Sequence, residues 1–304
     1  MTVKNFLFHR VNPERDILWD PMDIELFDKC IGHIKQKYEI ITIEDLTEPL
    51  AAKKYATISF DDGYKDNIEY ALPILEKHKV KASFYVVTDC IDKNIPTWTY
   101  ILDYLFLKTN KTKIDLNFDF MDSTLRSVSF GSKDSKVGYV KKLKPVLKKL
   151  THEQRNLILD KVAKIFNDVQ LPKLMMNWDD LKKLNELGHQ VGSHTVSHCM
   201  LGTIGNDEEI RYELERSAMR IKEELGFFPK TVSYPVGSYD DATIRLSKEV
   251  GYKIGLAVKQ DVYVPGNDTI FEVPRIELYN ESWFKTRLRI SHTLEKIKKV
   301  IKYR

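Results

Sequence analysis

The chain has 304 residues, 42% hydrophobic and 30% charged, the balance of a soluble globular protein with room for one large α/β domain or two modest ones. Lysine and arginine number 48 against 44 acidic residues, and a surplus of +4 is too mild to indicate a nucleic-acid partner. No stretch reaches the roughly 20 apolar residues of a membrane span, and residues 1–10 lack the apolar segment of a secretory signal, so a cytoplasmic location is expected.

The first candidate strand is Asn5–Phe8, which runs into His9. Ile24, Phe27, Ile31, Ile34 and Tyr38 then recur at three- and four-residue steps, one face of a helix. Ala56–Phe60 is a second strand, and it breaks on Asp61-Asp62-Gly63. Asp66 and Asn67 are expected to cap the helix that follows. A third strand, Ala82–Val87, ends this rhythm. From about Lys93 to Met176 the chain is rich in lysine, with helical periods near Tyr100–Leu107 and Val140–Phe166 and a weak strand pattern at Ile114, Leu116 and Phe118. This stretch, residues 93–176, is expected to be a largely helical insertion beside the end of the third strand, within a single domain.

Asn177 and Trp178 open a further helix that leads to a strand, His189–Gly192, and then to His194-Thr195-Val196-Ser197-His198. Asn206 with Glu209 has the spacing of a capping box, and Ile210, Leu214, Ala218, Ile221 and Leu225 carry that helix to Gly226. Thr231–Tyr234, Lys253–Val258 and Glu272–Leu278 complete the candidate strands. The last stretch, 281–304, is a basic amphipathic pattern. Phe284, Leu288, Leu294, Ile297 and Ile301 can share one face, ringed by Lys285, Arg287, Lys296, Lys298, Lys299 and Lys302. It fits a C-terminal helix packed on the body of the protein, or one that touches an anionic membrane surface. Strands alternating with helices favour a parallel sheet, and about seven strands suggest a nearly closed barrel whose functional residues gather at the C-terminal strand ends.

Two adjacent carboxylates at a strand end leave one free to ligate a metal and the other to act as a base. With a His-x-x-x-His turn they suggest a mononuclear hydrolytic metal site. Cys30, Cys90 and Cys199 cannot all pair and form no Cys-x-x-Cys motif, so reduced thiols are expected. His33, His78, His152 and His189 have no partner pattern and are read as structural or exposed. Gly202-Thr203-Ile204-Gly205 lacks the glycine spacing of a nucleotide loop.

Ile58-Ser59-Phe60-Asp61-Asp62-Gly63-Tyr64 resembles the first motif of the polysaccharide deacetylases, carbohydrate esterase family 4, also called the NodB homology domain. Gly192 through His198 resembles their second motif, and Ser233-Tyr234-Pro235-Val236-Gly237-Ser238-Tyr239 the Tyr-Pro-x-Gly form of the third. The resemblance implies an α/β fold, a distorted (β/α)7 barrel. It implies a divalent metal, zinc above all, on Asp62, His194 and His198, with Asp61 as general base and the Val236 N–H as oxyanion donor. Arg275 resembles the arginine that pairs with the catalytic aspartate. The family's late Leu-x-His motif is missing from the C-terminal part, where His292 is the only histidine. Leu7-Phe8-His9 matches it in a circularly permuted order and makes His9 the expected acid. Tyr64, Tyr234, Pro235, Tyr239 and Trp178 are the candidate sugar contacts. The expected reaction removes the N-acetyl group from an acetylated amino sugar, such as a cytoplasmic or membrane-linked glycan precursor. An amidase or deformylase on a non-polymeric amide, and a silent carbohydrate-binding module, are the other readings.

Overall fold

The computed structural model describes residues 2–295 and Ile297. Seven parallel strands carry the fold: β1 (Val3–Phe8), β2 (Tyr55–Phe60), β3 (Ser83–Val86), β4 (Gln190–Ser193), β5 (Thr231–Ser233), β6 (Ile254–Leu256) and β7 (Ile276–Glu277). They pair in the order β7-β1-β2-β3-β4-β5-β6, and a parallel bridge from Leu256 to Val273, just before β7, joins the two edges. The result is the expected distorted barrel. Every residue of β2 is buried, as a parallel strand covered on both faces requires. Phe8, Phe60 and Phe84 stack across β1, β2 and β3 at 5.5 and 4.9 Å between ring centres. Gly192 is obligatory on β4, because a Cβ there would lie 2.4 Å from the Tyr85 ring.

The register lines up the strand ends. Phe8 pairs with Phe60, Val86 with Ser193, and Leu7 with Glu277. The residues that follow, His9, Asp61 and His194, therefore leave the barrel at one lip. The Asp61 N–H donates to the Phe8 carbonyl at 3.1 Å, and the His194 N–H to that of Val86 at 2.9 Å.

Helices Ile24–Lys37, Trp178–Glu186, Asp207–Leu225 and Asp241–Val250 surround the sheet. Asn206 caps the third of these by accepting from the N–H groups of Glu208 and Glu209, without the return bond of the expected capping box, and Gly226 ends it at φ 80°. Asp66 and Asn67 do not cap their helix. Asp66 is drawn instead to Arg10, whose Nε donates to it at 2.7 Å, and the Asn67 amide donates to the His9 carbonyl at 2.7 Å.

Residues 93–176 form helices Trp98–Lys108, Lys133–Leu147 and His152–Ile165 with a short antiparallel ribbon of Lys113–Asp115 and Ser127–Ser129. They bury a cluster of their own around Phe106, Leu143 and Phe166, separate from the barrel core. The expected C-terminal helix is interrupted: His292 takes φ 63°, and helical backbone resumes at residues 293–295. Its first piece runs from Trp283 to Ile290. Its buried residues are Thr286, Arg289 and Ile290, whereas Phe284, placed on the packed face by the sequence pattern, is 72% exposed. Lys296, Lys298, Lys299, Lys302 and Ile301 lie outside the described residues. Among the described residues no helix is long and apolar enough to cross a membrane.

Candidate active site

The strand after β1 turns sharply at Asp62, which adopts φ 77° ahead of Gly63 at 87°. Thr195, His198 and Val236 also take positive φ, at 69°, 59° and 58°. Such backbone costs about 1–3 kcal/mol per non-glycine residue and persists only where the surroundings enforce it. All four lie in the three sequence motifs.

The strained turns bring Asp62, His194 and His198 together. Asp62 Oδ1 lies 3.4 Å from His194 Nε2 and 3.2 Å from His198 Nε2. One donor atom from each of the three falls within 4.8 Å of the others, and all three residues are buried. The His194 Nδ1–H donates to the Ser233 carbonyl at 2.7 Å, which turns Nε2 toward Asp62. Asp62 Oδ1 is buried and accepts no hydrogen bond. Two imidazole nitrogens and a carboxylate oxygen form a fitting donor set for a zinc-type ion, and the orphaned oxygen needs a positive partner.

Asp61 points elsewhere. Its carboxylate receives Arg275 Nη1 at 2.8 Å and Nη2 at 2.7 Å, and the Ser233 hydroxyl at 3.0 Å. Arg275 is fully buried and also donates to the Ala257 carbonyl. Burial works to raise the Asp61 carboxyl, but Arg275 and then His194 outweigh it, so Asp61 titrates below the ordinary carboxylate range. Burial opposes charge on Asp62 too, and His198 with His194 holds that carboxyl well below the usual range.

Asp61, Asp62, His194 and His198 line one cavity of about 210 Å³ with His9, Trp19 and Val236. His9 Nδ1 lies 3.5 Å from Glu277 Oε1, and its ring meets Trp19 edge-on at 5.5 Å. Thr99, Asp103, Lys144 and Lys148 of the insertion close the opposite wall. The five residues expected to contact sugar do not line this cavity. Tyr64 is buried with its hydroxyl on Thr97, and Tyr234 is buried with its hydroxyl on the Phe271 carbonyl. Pro235 is buried, Tyr239 bonds Glu272, and Trp178 sits against Arg220 with its N–H on Asp92. Four were placed near the Asp-His-His cluster by motif position and Trp178 by the helix that leads to the second motif; their rings point into the protein or along its flank. His292 contacts the Gln260 carbonyl and Asp261.

Glu213 was not evident from sequence. It stands on the buried face of the Asp207–Leu225 helix, and its carboxylate accepts from the N–H groups of Val196 and Ser197 at 2.9 and 3.0 Å and from the Ser197 hydroxyl at 2.6 Å. It holds the turn between the two histidines. Trp98 of the insertion donates its indole N–H to the His198 carbonyl at 3.1 Å. A glutamate among apolar positions on a helical face was the signal for Glu213; Trp98 offered none.

A parallel barrel with a buried Asp-His-His cluster and an arginine-held aspartate at its lip defines a hydrolase-like α/β barrel. The sequence pattern of the family "Polysaccharide deacetylase" matches residues 50–255, and the chain belongs to this family. It is 27% identical over 200 residues to a peptidoglycan-N-acetylglucosamine deacetylase of Listeria monocytogenes, covering 64% of this chain and 36% of that protein. It is 41% identical over 64 residues to a chitin deacetylase of Cryptococcus neoformans, 21% of this chain and 13% of that one. The chain thus spans little more than a third of these curated relatives at most. Among solved structures, the Streptococcus pyogenes deacetylase PplD superposes with a TM-score of 0.63 at 16% identity, over 95% of this chain and 98% of that one. IcaB from Ammonifex degensii gives 0.62 at 16%, over 95% and 97%. Both likenesses concern the fold.

Proposed function

We propose that this protein is a metal-dependent carbohydrate N-deacetylase that hydrolyses the acetamide of an acetylated amino sugar to acetate and a free amine. The observation that carries the reading is the convergence of Asp62, His194 and His198 beside an Asp61 that Arg275 keeps ionised. Family membership and the names of the curated relatives support the same chemistry.

Asp62, His194 and His198 would hold a divalent ion, with zinc the best match to their donor atoms. Such an ion supplies Lewis-acid polarisation of the acyl oxygen and lowers the pKa of water. Asp61, ionised by Arg275, accepts the proton of the attacking water. The left-handed backbone at Val236 brings that residue to the cavity wall, where its N–H serves the oxyanion. His9, with Glu277 beside it, donates a proton to the departing amine.

Acetate release from a panel of N-acetyl amino sugars tests the reading. Release should cease with chelator, return with zinc, and be absent in Asp61→Asn. Turnover that survives both chelator and Asp61→Asn overturns it.

A further inference from the structure

The wall that the insertion contributes to the catalytic cavity has a second side. Asp103, Lys144 and Lys148 also line an adjoining cavity of about 260 Å³, together with Lys141 and an apolar floor that includes Val140 and Pro145. Lys141, Lys144 and Lys148 fall three and four residues apart, on one face of the helix Lys133–Leu147 and its cap. Lys144 is neutralised by Asp103, at 2.5 Å between Nζ and Oδ2. Lys141 and Lys148 have no ion pair among the described residues. Of the other acids at the catalytic cavity, Asp61 is held by Arg275, Asp62 lies between His194 and His198, and Glu277 faces His9 while its charge also reaches Lys148.

Lysines near a helix C-terminus are ordinary complements to the helix dipole. That accounts for their place in the sequence but not for three ammonium groups facing one concavity that abuts the reacting centre. The catalytic cavity, at about 210 Å³, is smaller than the roughly 300–1,000 Å³ of pockets for drug-sized ligands. A substrate larger than one sugar unit has two adjoining cavities to extend into, one past His9 and Trp19 and one past Lys144 and Lys148.

We infer that this lysine-lined cavity binds an anionic group, a phosphate ester in its simplest form, carried by the amino sugar whose acyl group reaches the Asp-His-His cluster. The sugar's part in the inference rests on the deacetylase reading; the anion's part rests on the insertion.

The test compares N-acetylglucosamine, its methyl glycoside, its 1-phosphate and its 6-phosphate as substrates of the parent protein and of Lys141→Ala/Lys148→Ala. At least one phosphate should show a KM about ten-fold or more below that of the neutral sugars. The double variant should erase that advantage. Lys148 also lines the catalytic cavity, so Lys141→Ala alone, at a residue of the adjoining cavity only, should raise the KM of that phosphate with kcat and the KM of the glycoside unchanged. Equal KM values for all four sugars in the parent overturn the inference, as does a Lys141→Ala variant that shifts neutral and phosphorylated sugars alike. Calorimetry with the same four sugars separates it from the reading beneath it. Phosphate-dependent binding that the double variant abolishes, without acetate release from any of the four, upholds the anion site and separates it from the deacetylase reading.

Discussion

Arg275 grips Asp61 with both terminal guanidinium nitrogens, at 2.8 and 2.7 Å, in a place where neither side chain meets solvent. The Ser233 hydroxyl accepts from the same Nη2 and donates to Asp61 Oδ2, which closes a three-membered network. Bidentate pairing fixes the carboxylate in the plane of the guanidinium, so Asp61 is oriented as well as charged.

Removing one partner of such a pair strands a buried charge. Arg275→Ala is expected to lower stability by about 3–5 kcal/mol in urea unfolding. Arg275→Lys keeps the charge but loses the fork, so it should retain more stability than Arg275→Ala while still cutting turnover. Equal stability of the parent and Arg275→Ala would show that the pair is not held as described.

Metal occupancy is a separate measurement. Titration of chelator-treated protein with zinc should find one equivalent bound, and Asp62→Ala or His194→Ala should abolish high-affinity binding. Zinc at 100 times its dissociation constant should stabilise the parent by about 2.7 kcal/mol and leave Asp62→Ala unmoved. The two titration curves coinciding would exclude Asp62 as a ligand.

Glu213 acts on the same site from behind. Its three hydrogen bonds hold a turn in which Thr195 and His198 sit in left-handed backbone. Glu213→Gln loses the charge and one acceptor oxygen while keeping the shape of the side chain. The expected result is zinc affinity about 10–100-fold weaker, with the unfolding midpoint of the metal-free protein little changed. Unaltered zinc affinity would reduce Glu213 to a packing role.

The barrel was legible because its signals are local. Apolar runs such as Ala56–Phe60 mark strands by composition, and Asp61-Asp62 and His194/His198 sit at strand ends that the register brings level. Trp98 was not legible, and Glu213 was signalled only by its place among apolar helix positions, since the groups they bond lie 16 or more residues away in sequence. The five expected sugar contacts do not line the catalytic cavity, for a related reason. A motif fixes where a backbone passes, but the direction of Tyr234 or Trp178 depends on partners such as the Phe271 carbonyl and Asp92. Periodicity could not show the break at His292, which divides the C-terminal helical pattern into two pieces.

Two histidines competed for the role of acid. His9 lines the catalytic cavity, whereas His292 is engaged with Gln260 and Asp261. His9→Ala should lower kcat by about 10²–10⁴-fold, the usual span for general acid–base groups, and Glu277→Gln should have a smaller effect. His292→Ala should leave kcat intact. The reverse order of effects would return the acid role to the C-terminal histidine.

His189 gives the fold a pH dependence that does not involve the reaction. Its Nδ1 accepts the Ala82 N–H at 3.1 Å, which obliges the proton of the neutral ring to sit on Nε2, 3.2 Å from Glu76. Burial and then Lys81 lower its pKa, against the pull of Glu76. The unfolded chain, with a histidine near 6.5, therefore binds the proton more readily than the native one. Stability from this group is fully present above about pH 6.5 and is lost as pH falls through the lower native value. Urea midpoints measured from pH 7.5 down to 5 should fall more steeply in the parent than in His189→Gln, whose amide can accept from Ala82 without titrating. Parallel pH profiles for the two proteins would mean that the imidazole carries the same proton in both states.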